Sequence, residues 1–328
     1  MAAILFESKR AARLIPGGEP SRTGRIAAVV REKFADRGLS GVMAGFMRMC
    51  GIALTWRRHL ELVRVIDSAP TRVVNAAYAR VQYRYTLPYL CNSLGWHERW
   101  AALKSHYAFI GSALTPEFSQ LVLDDTVEVW RQEAAAHVFS VSIQGLCLET
   151  RHREGELTLC FKADGEPIYK LSFSFVELAA LGLPRSSLMR CSRHAIYVGR
   201  VQGISGAMNL IRQATVELGD IAPADLLMSV VFGMSQALNI DTVLGVTDEG
   251  CVSQAAIARS GSSFSYAVFW DRFGGLALRG DHTLIKLPLQ EKPIEDIASK
   301  HRKRNLRKRD YKNAVAMQAA DAMRALKV

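Results

Sequence analysis

Between a strand-like run, Ala195 to Val201, and a helical segment carrying Leu210, Ile211 and Ala214 stands Gln202-Gly203-Ile204-Ser205-Gly206-Ala207. Small residues at such a junction let backbone N–H groups approach a phosphate, and the helix N-terminus adds its positive end. The same residues also suffice for a plain tight turn. His106 lies at the edge of an apolar helical stripe, where a histidine acts either as a general base or as a packing residue with one hydrogen bond. Glu154 and Glu156 bracket a glycine and read as a turn. Ser205 falls one residue short of the GxSxG elbow, which removes the serine-hydrolase reading. Neither GxxxxGK[ST] nor GxGxxG occurs, so nucleotide loops of those kinds are excluded. The eight histidines show no HxH or HExxH, and the six cysteines form no CxxC pair, so no dedicated metal site is expected.

Charge is concentrated in one place. Of the formal +11, a net +7 lies between Lys300 and Lys312, where eight Lys or Arg accompany one Asp. Arg302, Lys303, Arg304, Arg307, Lys308 and Arg309 fall around a helix rather than along one stripe, so they form either a grip for RNA or an anionic membrane surface, or a solvated helix face.

The elements that must position these residues are legible from apolar spacing. Thr23 to Ile66 has helical periodicity, and Trp96, Trp100, Leu103, Tyr107, Ile110 and Leu114 predict an amphipathic helix closed by Thr115-Pro116. From about Val127 the period becomes two. Phe139-Val141-Ile143, Leu157-Leu159-Phe161 and Tyr169-Leu171-Phe173-Phe175 alternate with polar residues, and Asp164-Gly165 supplies a hairpin turn, which predicts an antiparallel meander with one buried face. Strand, glycine turn, helix, a second helix after Pro223, and a strand from Thr242 to Val246 form a crossover, so these two strands are expected to be parallel. A short helix over Tyr266 to Phe273, a Gly274-Gly275 stop, two short strands and a basic helix follow. An apolar share of 49% with 22% charge suits a globular chain of one large or two ordinary domains. Glu7, Lys9 and Arg10 interrupt the N-terminus before a secretory signal can develop, and Gly41 to Trp56, broken by Arg48, is shorter than the ~20 residues of a spanning helix. A cytoplasmic protein, free or peripheral to the inner membrane, is expected.

Pro88-Tyr89-Leu90, Lys104-Ser105-His106-Tyr107, Glu154-Gly155-Glu156-Leu157, Leu171 to Phe175, Val198 to Gly203, Phe269-Trp270 with Gly274-Gly275, and Leu287-Pro288-Leu289 follow one another before the basic tail. In that order they resemble the landmarks of the VirK/YbjX family, over roughly Arg84 to Arg309. Val216, Ala224, Thr247 to Cys251 and Ser265-Tyr266-Ala267 depart from the family pattern, so the resemblance is to a divergent member. It implies an association with virulence and with tolerance of cationic antimicrobial peptides.

The element order is also similar to the core of GNAT acyltransferases. With the apolar periods above, that resemblance gives the expectation of an α/β (α+β) fold: a helical lobe at 1–125, a mixed, largely antiparallel GNAT-like sheet domain at 126–298, and a basic C-terminal helix at 299–328. It implies transfer of an acyl or aminoacyl group to a small-molecule or peptide amine, the donor being acyl-CoA or aminoacyl-tRNA. Arg200, Gln202, Gly203 and Gly206 would lie near the donor phosphates, in a cleft opened where the Thr242–Val246 strand splays from its parallel neighbour. Tyr266 would stand as acid for the leaving group, its other reading being a packing residue in an aromatic cluster. A non-enzymatic adaptor binding anionic lipid or RNA through the tail is the competing class.

Overall fold

In the computed structural model the described residues are 41, 43–78, 80–145, 153–183, 191–253 and 264–328. The predicted helix from Thr23 lies outside them up to residue 40. The chain divides into two compact units, Met1–Arg57 and Arg58–Val328. Within the first, residues 43–54 form helix α1 and expose Phe46, Met47 and Leu54. The helical segments between Arg58 and Leu123, the sheet and the basic helix fall together in the second unit.

The second unit begins within α2 (Trp56–Ile66), at Arg58, and runs through α3 (Arg72–Ala77), a 3-10 turn (Val81–Thr86), α4 (Trp96–Ala113) and α5 (Phe118–Leu123). Strands β1 (Val127–Glu133), β2 (Val138–Gly145), β3 (Leu157–Ala163), β4 (Glu166–Glu177) and β5 (His194–Gly203) follow. Then come α6 (Met208–Glu217), α7 (Pro223–Ala237), β6 (Thr242–Val246), α8 (Tyr266–Asp271), β7 (Leu276–Leu278), β8 (His282–Lys286) and α9 (Ser299–Arg324). The eight strands make one sheet in the order β1-β2-β3-β4-β5-β6-β8-β7. Every neighbouring pair is antiparallel except β5 with β6, as the crossover requires. Asp164 and Gly165 turn β3 into β4 with φ of 51° and 85°, the left-handed pair that a two-residue hairpin demands.

The expectation of one buried face is corrected. Ser140, Ser142, Thr158, Ser172 and Ser174 are buried along with the apolar residues they alternate with, so both faces of the central strands are covered. Helices supply the cover: α4 packs on β4, α5 on β2, and α7 on β3, β4 and β5. For the same reason α4 is not a one-faced amphipathic helix. Ala102, Ser105, His106 and Phe109 are buried with the predicted Trp100, Leu103, Tyr107 and Ile110. Helix α9 lies along α7 and β1, burying Val315, Ala319, Ala320 and Met323, and Gly233 admits it so closely that a Cβ there would run into the Ala316 carbonyl oxygen. Among the described residues no helix is long and apolar enough to cross a membrane.

Candidate functional site

Strands β5 and β6 pair over Ile196–Val198 and Val243–Gly245; β6 then ends at Val246 while β5 continues to Gly203. The Val201 N–H, beyond the last pair, donates to the Tyr266 hydroxyl at 3.1 Å. Tyr266 opens α8, whose first turn is held by the Asp248 carboxylate: it accepts from the Tyr266 N–H at 2.9 Å, the Ala267 N–H at 3.3 Å and the Ser265 hydroxyl at 3.2 Å. One turn on, Trp270 donates its ring N–H to the Val246 carbonyl at 2.7 Å, and Gly245 leaves room for the indole to lie on β6. The expected splaying is not seen: β6 is paired almost to its end, and Tyr266 and Trp270 occupy the space beyond the ladder. Burial, then the neighbouring Cys251, pushes the Tyr266 pKa well up, so the phenol holds its proton at neutral pH.

Downstream, the glycine turn is only partly open. The N–H groups of Ile204 and Ala207 are taken by the carbonyls of Ile168 and Ile204. Gly203 does not have positive φ, and a Cβ there would meet Ile211 at 3.1 Å and Tyr169 at 3.3 Å. Gly206 carries the left-handed conformation, with φ of 84° and open space over it. Arg200 reaches Glu154 at 3.4 Å and donates to the Gln202 side-chain oxygen, so both side chains brace the end of β5.

His106 stands apart from this group. Its Nδ1 accepts from the Phe175 N–H at 3.1 Å and its ring stacks on Phe175. Burial, then the Arg84 charge, holds its pKa down at about 3, leaving the ring neutral.

What the sequence reading missed is the role of Arg153-Glu154-Gly155-Glu156. This strap lies against the sheet: a Cβ on Gly155 would meet the Phe173 carbonyl oxygen at 2.5 Å, and one on Gly199 would strike the Glu154 carbonyl oxygen. Glu156 accepts from Arg84 at 2.8 Å and from the Tyr107 hydroxyl at 2.6 Å, while its N–H donates to Ser174 at 2.9 Å. Ser174 also bonds the Tyr89 hydroxyl at 3.1 Å. The local signal was two acids beside a strongly apolar strand. Their cations, Arg84 and Arg200, are too distant in sequence to be matched by spacing.

In the tail, Arg304 pairs with Asp220 at 2.9 Å, Lys308 donates to the Asp220 carbonyl, and Arg309 pairs with Glu291 at 3.0 Å. Arg302 donates to the carbonyls of Glu295 and Ile297. Lys303 and Arg307 are exposed and make no ion pair among the described residues.

Comparison with known proteins adds kinship. A family model described as "Protein of unknown function (DUF535)" matches residues 46–319. The "Uncharacterized protein YbjX" of Escherichia coli (strain K12) is 22% identical over 251 residues, covering 75% of this chain and 72% of that protein. No solved structure matches.

Proposed function

The chain belongs to the DUF535 family, whose description names no activity, so its function has to be argued from the site, and we propose that it transfers an acyl or aminoacyl group from a phosphate-bearing donor to an amine. The observation that carries this reading is the protonated phenol of Tyr266 on the Val201 N–H, beyond the point where the parallel β5–β6 ladder ends. The reading takes further support from the one parallel pair, β5 with β6, in an otherwise antiparallel sheet.

In this reaction the amine nitrogen attacks the acyl carbonyl carbon and the C–S bond of an acyl-CoA, or the C–O bond of an aminoacyl-tRNA, breaks. The departing thiolate or alkoxide takes the Tyr266 proton, the nitrogen releases one to solvent, and solvent reprotonates the phenolate. Gly206 and the N-terminus of α6 offer the exposed end at which the donor phosphates would rest. Arg200, Gln202 and Gly203 hold the strand end in place. A donor in this slot has to compete with Tyr266 for the Val201 N–H.

Calorimetry with acetyl-CoA and with an aminoacyl-tRNA tests the reading, followed by thiol-release or deacylation assays on whichever binds. Tyr266→Phe should lower kcat by about 10²-fold or more while KM stays close to wild type. Binding of neither donor overturns the reading.

A second reading, an adaptor meeting anionic lipid or RNA through α9, is favoured by exposed Lys303 and Arg307, although Arg302, Arg304, Lys308 and Arg309 have partners within the protein. Either reading suits a cytoplasmic protein, free or at the inner membrane.

A further inference from the structure

On the part of the second unit where the loop before α4 meets the turn between β7 and β8 there is a cleft of about 400 Å³. Its described walls include Ser93, Gly95, Glu98, Gly182, Arg279 and His282. The volume falls at the lower end of the roughly 300–1,000 Å³ range of small-molecule sites, room for a metabolite of a few heavy atoms and too little for a whole coenzyme.

Three features give the cleft a chemical character. Glu98 and Arg279 carry opposite charges into it, yet neither makes an ion pair among the described residues, with the other or with anything else. The backbone is bare beside both Glu98 and His282. A Cβ on Gly95 would meet a Glu98 carboxylate oxygen at 2.5 Å, one on Gly182 would meet the other at 3.6 Å, and one on Gly280 would meet His282 Nε2 at 3.4 Å. Third, His282 is buried, and its Nδ1 is engaged by the Tyr197 hydroxyl at 2.9 Å, so Nε2 is the nitrogen left for an occupant. Burial, opposed by Asp281, holds its pKa down at about 4, so the ring is neutral at physiological pH.

We propose that this cleft binds a free α-amino acid, its ammonium group on Glu98, its carboxylate on Arg279 and its remaining polar contact on His282 Nε2. Arg279 is exposed and Glu98 half-buried, and two opposite charges that share a cleft without bridging each other suit a ligand that carries both signs, because each then gains a charge-assisted partner. Behind His282 stands buried Tyr197, and Cys251 neighbours both Tyr197 and Tyr266. On the transfer reading the amino acid serves as the amine acceptor, once its ammonium has given a proton to solvent. That role rests on the transfer reading, whereas occupancy of the cleft does not.

Ligand-observed NMR with each protein amino acid in turn, on the full chain, tests the occupancy. For the amino acid that binds best, its decarboxylated amine and its N-acetylated derivative should each bind at least about tenfold more weakly, since each lacks one charge-assisted contact. Glu98→Gln and Arg279→Gln, folded by circular dichroism, should each weaken the parent amino acid by a similar factor. Glu98→Gln should leave the affinity for the N-acetylated derivative unchanged. Failure of every amino acid to bind overturns the proposal, as does binding that survives both substitutions or an amine that binds as tightly as its parent. If an amino acid binds as described and no donor transfers to it, the cleft stands and the transfer reading falls.

Discussion

The Arg84 guanidinium donates to the Glu156 carboxylate at 2.8 Å, and both side chains are almost wholly withdrawn from water, at 4% and 1% exposure. The contact ties the 3-10 turn before α4 to the strap that crosses the sheet, with Tyr107 taking the second carboxylate oxygen.

Because a buried charge stripped of its partner keeps its desolvation cost, Glu156→Ala or Arg84→Ala should each destabilise by about 3–5 kcal/mol. Replacing both by apolar residues of similar size should cost distinctly less than the sum. Urea unfolding of the singles and the double gives the cycle, and strict additivity would show that the pair is not energetically coupled.

Two glycines of the same region should respond to alanine for different reasons. Gly199→Ala has to push the Glu154 backbone away and should cost about 1–3 kcal/mol. Gly206→Ala meets open space and suffers only from its positive φ, about 1 kcal/mol. Denaturation midpoints should rank them in that order, and a fully stable Gly199→Ala would mean that the strap does not rest on β5.

Acid should weaken the fold through its buried histidines. His106 and His282 have folded pKa values of about 3 and about 4 against 6.5 when unfolded. Below pH 6.5 the unfolded chain binds protons that the folded chain refuses, so stability is complete above that value and is lost as pH falls toward the folded pKa values. His106→Gln should flatten the decline in urea midpoint between about pH 6.5 and about pH 4. An unchanged slope would show that His106 is protonated in the fold.

Within α9, Lys303→Gln with Arg307→Gln should leave the melting temperature within error of wild type. Should the adaptor reading hold, the same change lowers the log–log salt slope of RNA binding by roughly 0.7 per lost phosphate contact. Arg304→Gln with Lys308→Gln should instead lower stability by up to about 1 kcal/mol, since the Asp220 contacts are solvent-exposed. RNA affinity that is indifferent to Lys303 and Arg307 would remove the tail as a grip.

Local periodicity carried most of the fold. Val127, Thr242–Val246, the Asp164-Gly165 hairpin and the Pro223 start of α7 are where the alternation and turn chemistry predicted them. The burial of Ser140 and Thr158 was not legible, since it is decided by helices packed on the strands from elsewhere in the chain. Glu154 and Glu156 read as a surface turn because short-range pattern favours exposing acids, and only the folded chain brings Arg200 and Arg84 to them. For the candidate site, the short helix that begins at Tyr266 was legible, whereas the bond of Tyr266 to the Val201 N–H was not. The mutual neighbourhood of Glu98, Arg279 and His282 is a property of loop packing and has no trace in spacing.

The close seat of α9 on α7 at Gly233 has a consequence for synthesis. Leu227, Val230, Val231 and Met234 emerge from the ribosome well before Val315, Ala319 and Met323, which belong to the helix that covers α7. Until then the face of α7 that receives α9 at Gly233 stays uncovered, even if its other side already rests on β3, β4 and β5. A premature stop codon ahead of Ser299 would therefore yield a polypeptide that depends on chaperones and is readily taken by proteases, rather than a trimmed but stable protein.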